Sequence, residues 1–67
     1  MMLVTVNGTA HRFEHALNCL QLLERLSLSG KRIALERNGE IVPRSRYSAE
    51  ALADGDKVEI VVAVGGG

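Results

Sequence analysis

Two Asn-Gly pairs, Asn7-Gly8 and Asn38-Gly39, each separate two stretches in which apolar and polar residues alternate. Both residue types tolerate positive φ, so this pair between alternating stretches predicts a tight β-hairpin. Residues 2–14 therefore form a first predicted hairpin and residues 31–42 a second, which Pro43 ends. A chain of 67 residues has room for one domain, and these hairpins assign much of it to β-strands.

One α-helix is predicted between the two hairpins. Its apolar face follows the spacing i, i+3, i+4 and i+7 of a helix packed on a core: Cys19, Leu22, Leu23 and Leu26. Asn18 is the predicted N-cap, with Gln21 as its capping-box partner, and Gly30 follows the helix end as a left-handed turn residue. We expect this helix to cover one face of a sheet.

The last predicted strand, residues 57–64, is the most apolar of the five. Val58, Ile60 and Val62 are expected to face the helix, with Val61 and Ala63 on the opposite side. A strand that is apolar on both faces suits a central position. Its chain-distant partner is then the N-terminal strand, which would run parallel to it because a helical crossover and a second hairpin lie between them.

The segment between Pro43 and the last strand shows weak periodicity. It predicts a short 3₁₀ or helical turn around residues 49–52, and Asp54 and Asp56 are interpreted as turn formers. The predicted fold is therefore α+β, with a five-stranded mixed sheet packed on one α-helix plus this short turn. That arrangement is the ubiquitin-like β-grasp, with residues 1–62 as the folded domain and residues 63–67 as a flexible glycine tail.

Charge and length exclude several classes of function. Eight basic and eight acidic residues cancel and are scattered along the chain, which argues against nucleic acid and anionic membrane surfaces as partners. No apolar stretch approaches the roughly 20 residues of a membrane helix, and no signal peptide is apparent. One cysteine permits no internal disulfide, so we expect a cytoplasmic protein. The small size leaves little room for an enclosed catalytic pocket.

Three glycines, Gly65, Gly66 and Gly67, follow the last strand directly. Without Cβ atoms, such a peptide can thread a narrow channel and bring a terminal carboxylate against another protein's backbone. The residues from Ala63 to Gly67 would reach roughly 17 Å if extended. The alternative interpretation is a frayed chain end or a cloning remnant.

Two surface features could serve partners. Val61 and Ala63 lie on the sheet face away from the helix, so they form either a docking patch or an ordinary covered strand face. Arg44 and Arg46 follow Pro43 and form either a solvated basic loop or an anion site.

Catalytic and metal-binding constellations are not found in the sequence. Cys19 lies at a helix start, which lowers a thiol pKa, but its place on the apolar face favours a buried structural cysteine. His11 and His15 are interpreted as surface residues, because no cysteine or histidine cluster supports zinc. No set of nucleophile, base and orienting group can be assembled, so no catalytic residue and no bound cofactor are predicted.

Several of these features together resemble the ThiS family of thiamine-biosynthesis sulfur carriers. The resemblance spans the whole chain and is carried by residues 38–44 (Asn-Gly-Glu-Ile-Val-Pro-Arg), by the Asp54-Gly55-Asp56 turn and by the terminal glycines. It implies that Gly67 is the modified residue, with Gly65 and Gly66 threading into partner active sites. A third glycine and a cysteine at position 19 depart from the usual family pattern.

The resemblance also implies the partners. A ThiF-type enzyme would use ATP to adenylate the terminal carboxylate, and a sulfur donor would then convert it to a thiocarboxylate. A ThiG-type thiazole synthase would accept that sulfur, so the chain itself would be a carrier and not an enzyme. Alternatives are a molybdopterin-synthase small-subunit-type sulfur carrier, a ubiquitin-like modifier and, from a different class, a non-covalent β-grasp interaction module.

Overall fold

The computed structural model describes residues 1–63 and contains a five-stranded sheet with one α-helix. The elements are β1 (Met2–Val6), β2 (Thr9–Phe13), α1 (Cys19–Arg25), β3 (Ile33–Arg37), β4 (Glu40–Val42), a 3₁₀ turn (Arg44–Arg46) and β5 (Lys57–Val62). The strands are ordered β2-β1-β5-β3-β4. β1 and β5 pair in parallel and the other neighbours are antiparallel, which confirms the predicted β-grasp with β5 at its centre.

The core lies between one face of the sheet and α1. Helix residues Cys19 and Leu22 are fully buried, and Leu23 is nearly so. The predicted capping box is present: Asn18 accepts a hydrogen bond from the Gln21 N–H, and the Gln21 side chain accepts one from the Asn18 N–H. Because a helix of seven residues is too short to be stable alone, this cap and the buried face are what fix it.

Both hairpin asparagines do more than turn the chain. The Asn7 amide donates to the Ile60 carbonyl at 3.0 Å and accepts from the Ile60 N–H at 2.7 Å. The Asn38 amide accepts from the Lys57 N–H at 2.9 Å and donates to Asp56 at 3.0 Å. The two turns thus hold β5 from opposite sides, and Asn7 extends a parallel ladder that pairs only two positions of β1 with β5.

We expect Asn7→Gly to lower the free energy of unfolding by about 1–3 kcal/mol, since it removes two side-chain hydrogen bonds to Ile60. Glycine keeps the positive φ of 49° that this position needs, so the turn itself is preserved. Chemical denaturation measures the effect, and Asn7→Asp, which keeps only an acceptor, is the comparison. A glycine variant as stable as the unmodified chain would show that the amide contributes nothing.

One sequence expectation is wrong in detail. The turn predicted around residues 49–52 lies earlier, at Arg44–Arg46, because Pro43 starts it with a φ of −63°. Leu52 instead donates its N–H to the Leu17 carbonyl at 2.9 Å.

Val62 lies on the predicted face of the sheet, but the helix does not cover it. It lies opposite Ile33 on the helix-facing side of the sheet, yet it is 42% exposed. A seven-residue helix is about 10 Å long, whereas a six-residue strand spans about 20 Å. The helix therefore cannot cover the whole of β5.

Among residues 1–63, no helix has the length and apolar character needed to span a membrane.

Candidate functional site

The end of β5 directly precedes the predicted glycine tail in the sequence. Val62 pairs with Ile33 of β3, and Ala63 continues the ladder by donating its N–H to the Arg32 carbonyl at 2.9 Å. The chain is therefore held by backbone hydrogen bonds up to Ala63. The predicted tail residues Gly65, Gly66 and Gly67 lie outside the described part of the chain, and their roles stay predictions.

Apolar side chains at this end of β5, the tail base, face solvent. Val61 is 65% exposed and lies opposite the exposed Ala34 on the sheet face away from the helix, and Ala63 is exposed beside it. The same face also exposes Leu3 on β1 and Ile41 on the edge strand β4. The two residues of the predicted docking patch are thus accessible. Their contact with a partner stays a prediction.

A groove of about 290 Å³ lies next to the tail base and is called the tail-base groove below. Its apolar wall consists of Ile33, Ala34, Tyr47, Val61 and Ala63. Its charged members are Lys31, Arg32 and Arg44, with no acidic residue among the lining side chains. This combination of an apolar wall and cationic side chains suits a partner group that is apolar and flanked by negative charge.

A buried ion cluster holds the other end of β5. Asp56 is only 6% exposed, and its carboxylate accepts hydrogen bonds from Arg37 Nε at 2.7 Å, from Asn38 and from the Ala53 N–H. Burial, the largest influence, would raise the pKa of Asp56. The hydrogen bonds from Arg37, Asn38 and Ala53 together outweigh burial and hold that pKa below its ordinary 3.8. Glu50 completes the cluster by accepting from Arg37 Nη1 at 3.1 Å.

Sequence reasoning missed this cluster. It interpreted Asp54 and Asp56 alike as turn formers, and only Asp54 is exposed, with its carboxylate accepting from the Leu3 N–H at 2.7 Å. The partners of Asp56 come from β3 and from the β3–β4 turn, nearly twenty positions away along the chain. Both carboxylate oxygens accept hydrogen bonds from donors of the fold, so we assign the carboxylate a structural and not a chemical role.

Cys19 is confirmed as a buried core residue. It has no exposed surface, and burial raises the pKa of its thiol to about 11, with the negative charge of Glu50 acting in the same direction. A thiolate is the reactive form of cysteine. The position at the helix start therefore does not make this thiol a nucleophile.

We expect the Cys19 thiol to resist alkylation and disulfide reagents at neutral pH in the folded chain and to react rapidly once the chain is unfolded in urea. Because the pKa is raised, the contribution of the buried thiol to stability is fully present below pH 9.0, the ordinary pKa of cysteine. That contribution is lost as the pH rises towards about 11. The rate of reaction with a chromogenic disulfide, with and without urea, measures the accessibility of the thiol. Equal rates with and without urea would contradict the buried assignment.

The remaining polar candidates are dispersed. His11 stacks on Phe13 with ring centroids 6.2 Å apart, and His15 is exposed on a loop. Arg44 and Arg46 are both exposed, and Arg46 lies 3.4 Å from Glu50. Within the described range, 1–63, no three side chains of the metal-ligating types come together.

Comparison with known proteins gives matches along nearly the whole chain. The sequence model of the ThiS family matches residues 4–67. The sulfur carrier protein ThiS of Bacillus subtilis is 36% identical over 97% of this chain and 100% of that protein. The crystal structure of the thiamine biosynthesis protein ThiS from Geobacter metallireducens superposes with a TM-score of 0.83 at 35% identity, covering 98% of this chain and 100% of that one.

Longer relatives match as well. The thiazole synthases of Paramagnetospirillum magneticum and Magnetococcus marinus are 42% and 35% identical over 66 residues. This chain spans only 20% of the length of each, so a domain like this one forms a minor part of those proteins. The match of the family model, together with a relative and a solved structure that align over their full length, shows that this chain belongs to the ThiS family.

Proposed function

We propose that this chain is a sulfur carrier of thiamine biosynthesis and that the carboxylate of Gly67 is the group that carries the sulfur. The observation that carries the proposal is the match with a protein named sulfur carrier ThiS over its full length. The family model also extends through Gly67. A tail attached to the central strand β5 would present this carboxylate from a rigid base.

The proposed chemistry starts with a poor electrophile. A ThiF-type enzyme activates the Gly67 carboxylate by attack of its oxygen on the α-phosphate of ATP, with pyrophosphate as the leaving group. A persulfide sulfur then attacks the acyl carbon and AMP departs. A second thiol cleaves the sulfur–sulfur bond and leaves the thiocarboxylate. This product is ionised near neutral pH, so it is a ready nucleophile by the reasoning that applies to thiolates.

The carrier's own contribution is reach and recognition. From Ala63, residues 64–67 could extend about 13 Å into a partner enzyme, with Gly65 and Gly66 passing where a side chain would be blocked. Exposed Val61 and Ala63 would contact the partner at the tail base. The catalytic groups belong to the partners, and we expect no turnover by the isolated chain.

The proposed sulfur acceptor is a ThiG-type thiazole synthase. Two relatives named thiazole synthase contain a segment that matches 66 residues of this chain, so carrier-like domain and enzyme occur there in one polypeptide. Physical linkage of two proteins in this way is favourable when they act together, because it raises their effective concentration. The same argument favours the thiazole pathway over that of molybdopterin.

Reconstitution tests the pathway. The thiocarboxylated chain is supplied separately to thiazole synthase with its other substrates and to a molybdopterin synthase large subunit, and product is followed by chromatography. We expect thiazole formation and little molybdopterin. If product forms only in the molybdopterin reaction, the chain would be assigned to the molybdopterin pathway instead. Attachment of the chain to lysines would instead identify a protein modifier.

A further inference from the structure

We propose that the tail-base groove is a docking site for thiazole synthase, which places there an apolar side chain flanked by carboxylates. The inference rests on the proposed function and adds to it a specific surface and the chemistry of the partner. Three observations carry it: the charge of the groove, its position next to the tail and the occurrence of carrier and synthase in one chain among the relatives.

The groove concentrates positive charge in a chain that has none in excess. The formal net charge is zero, yet Lys31, Arg32 and Arg44 line one groove without an acidic neighbour in its wall. The ion pairs formed within residues 1–63 involve Arg37 and Arg46 instead. Cations that form no ion pair with residues 1–63 can pair with a partner, and complementary carboxylates there would speed encounter and fix orientation.

The acidic residues on the same face mark the limit of this surface. Glu36 and Glu59 lie opposite each other on β3 and β5, two positions along the ladder from the Ala34–Val61 pair and therefore next to it on the same face. This acidic pair separates the cations of the groove from Lys57, which is exposed on the same face at the other end of β5. A partner surface that is acidic around the mouth of its active site would match this end and not the middle of the face.

The short reach of the tail brings an enzyme that uses it close to this surface. Ala63 forms part of the groove wall and is hydrogen-bonded to Arg32. The four residues after it reach about 13 Å when extended. An active site that receives Gly67 must therefore open within that distance of the groove, and the protein around its opening packs against the wall of Val61 and Ala63.

Thiazole synthase is the occupant that the relatives favour. A domain matching this one makes up 20% of two proteins of that name, where the covalent link supplies the encounter. When the two proteins are separate chains, affinity must come from the surfaces themselves. The exposed apolar wall supplies buried area, and the cations supply steering.

Binding of the full chain to purified thiazole synthase tests the proposal. Arg44→Glu and Lys31→Glu are compared with Arg12→Glu, an exposed arginine on the far edge strand β2 that changes the net charge equally. We expect each groove variant to raise the Kd about 10-fold or more at low salt, with the difference shrinking at high salt, and the control to change it little. Circular dichroism and denaturation verify that each variant is folded.

Several results would overturn the docking site. Unchanged affinity in the groove variants, or an equal loss of affinity in Arg12→Glu, would show that thiazole synthase makes no specific contact with the groove. Self-association that Arg44→Glu abolishes would assign the groove to a second copy, and chemical-shift changes in the groove on deleting residues 64–67 would assign it to the chain's own tail. A chain that binds through the groove but never acquires sulfur would refute only the proposed function. If the chain is thiocarboxylated but the groove substitutions do not change its affinity for thiazole synthase, only this inference would be refuted.

Discussion

Removal of Gly66 and Gly67 is expected to abolish adenylation by the activating enzyme. The truncated chain still ends in a carboxylate, but that carboxylate is withdrawn by about 7 Å. Since misplacement of a reacting group by 1 Å can cost about 100-fold, we expect the rate to fall by more than that factor. ATP–pyrophosphate exchange with a ThiF-type enzyme measures it directly.

We expect the truncation to leave the folded domain intact, because within residues 1–63 the sheet is complete up to the backbone hydrogen bond of Ala63. Its denaturation midpoint should therefore equal that of the full chain. A control variant, Ile41→Ser, changes an apolar residue that is 74% exposed far from the tail and should retain full exchange. If AMP formation survived the loss of both glycines, the tail would not be the reacting segment.

Asp56→Ala is expected to cost about 2–4 kcal/mol of folding free energy, because it leaves the charged Arg37, the Asn38 amide and the Ala53 N–H without their common acceptor. The whole domain is stable by on the order of 5 kcal/mol, so a large fraction would unfold on mild heating. Denaturant titration gives the value. Asp54→Ala, an exposed aspartate of the same turn with a single backbone hydrogen bond, should cost far less.

The same carboxylate makes stability depend on acid. The folded pKa of Asp56 lies below 3.8, its ordinary value, so its contribution is fully present above pH 3.8 and is lost as pH falls through the folded pKa. We expect the stability gap between the unmodified chain and Asp56→Asn to narrow in that acidic range. A gap that stayed constant down to strong acid would show that the ion cluster contributes nothing to stability.

The fold could be read from local patterns because each element has a strong local signal. Asn-Gly pairs located both hairpins, Asn18 with Gln21 located the helix start, and the apolar character of the last strand placed it at the sheet centre. These signals are short-range: positive φ, capping and side-chain periodicity act within a few residues.

What the sequence did not reveal depends on contacts between distant segments. The second role of Asn7 requires Ile60, 53 positions away, and the burial of Asp56 requires Arg37. Neither partner is visible in a local pattern. The exposure of Val62 was missed for a similar reason, since it depends on how far a short helix extends across the sheet. The tail-base groove combines residues from β3, β5 and the 3₁₀ turn and could not be assembled before their order in space was known.

Mass spectrometry of the C-terminal fragment tests the sulfur-carrier proposal most directly. The chain is incubated with a ThiF-type enzyme, ATP and a persulfide donor, then cleaved so that the fragment ending at Gly67 can be weighed. The account predicts a fragment heavier by the difference between one sulfur and one oxygen atom, formed only when ATP and the donor are both present. A fragment that keeps both oxygens in the complete reaction, under conditions that thiocarboxylate a known carrier, would contradict it.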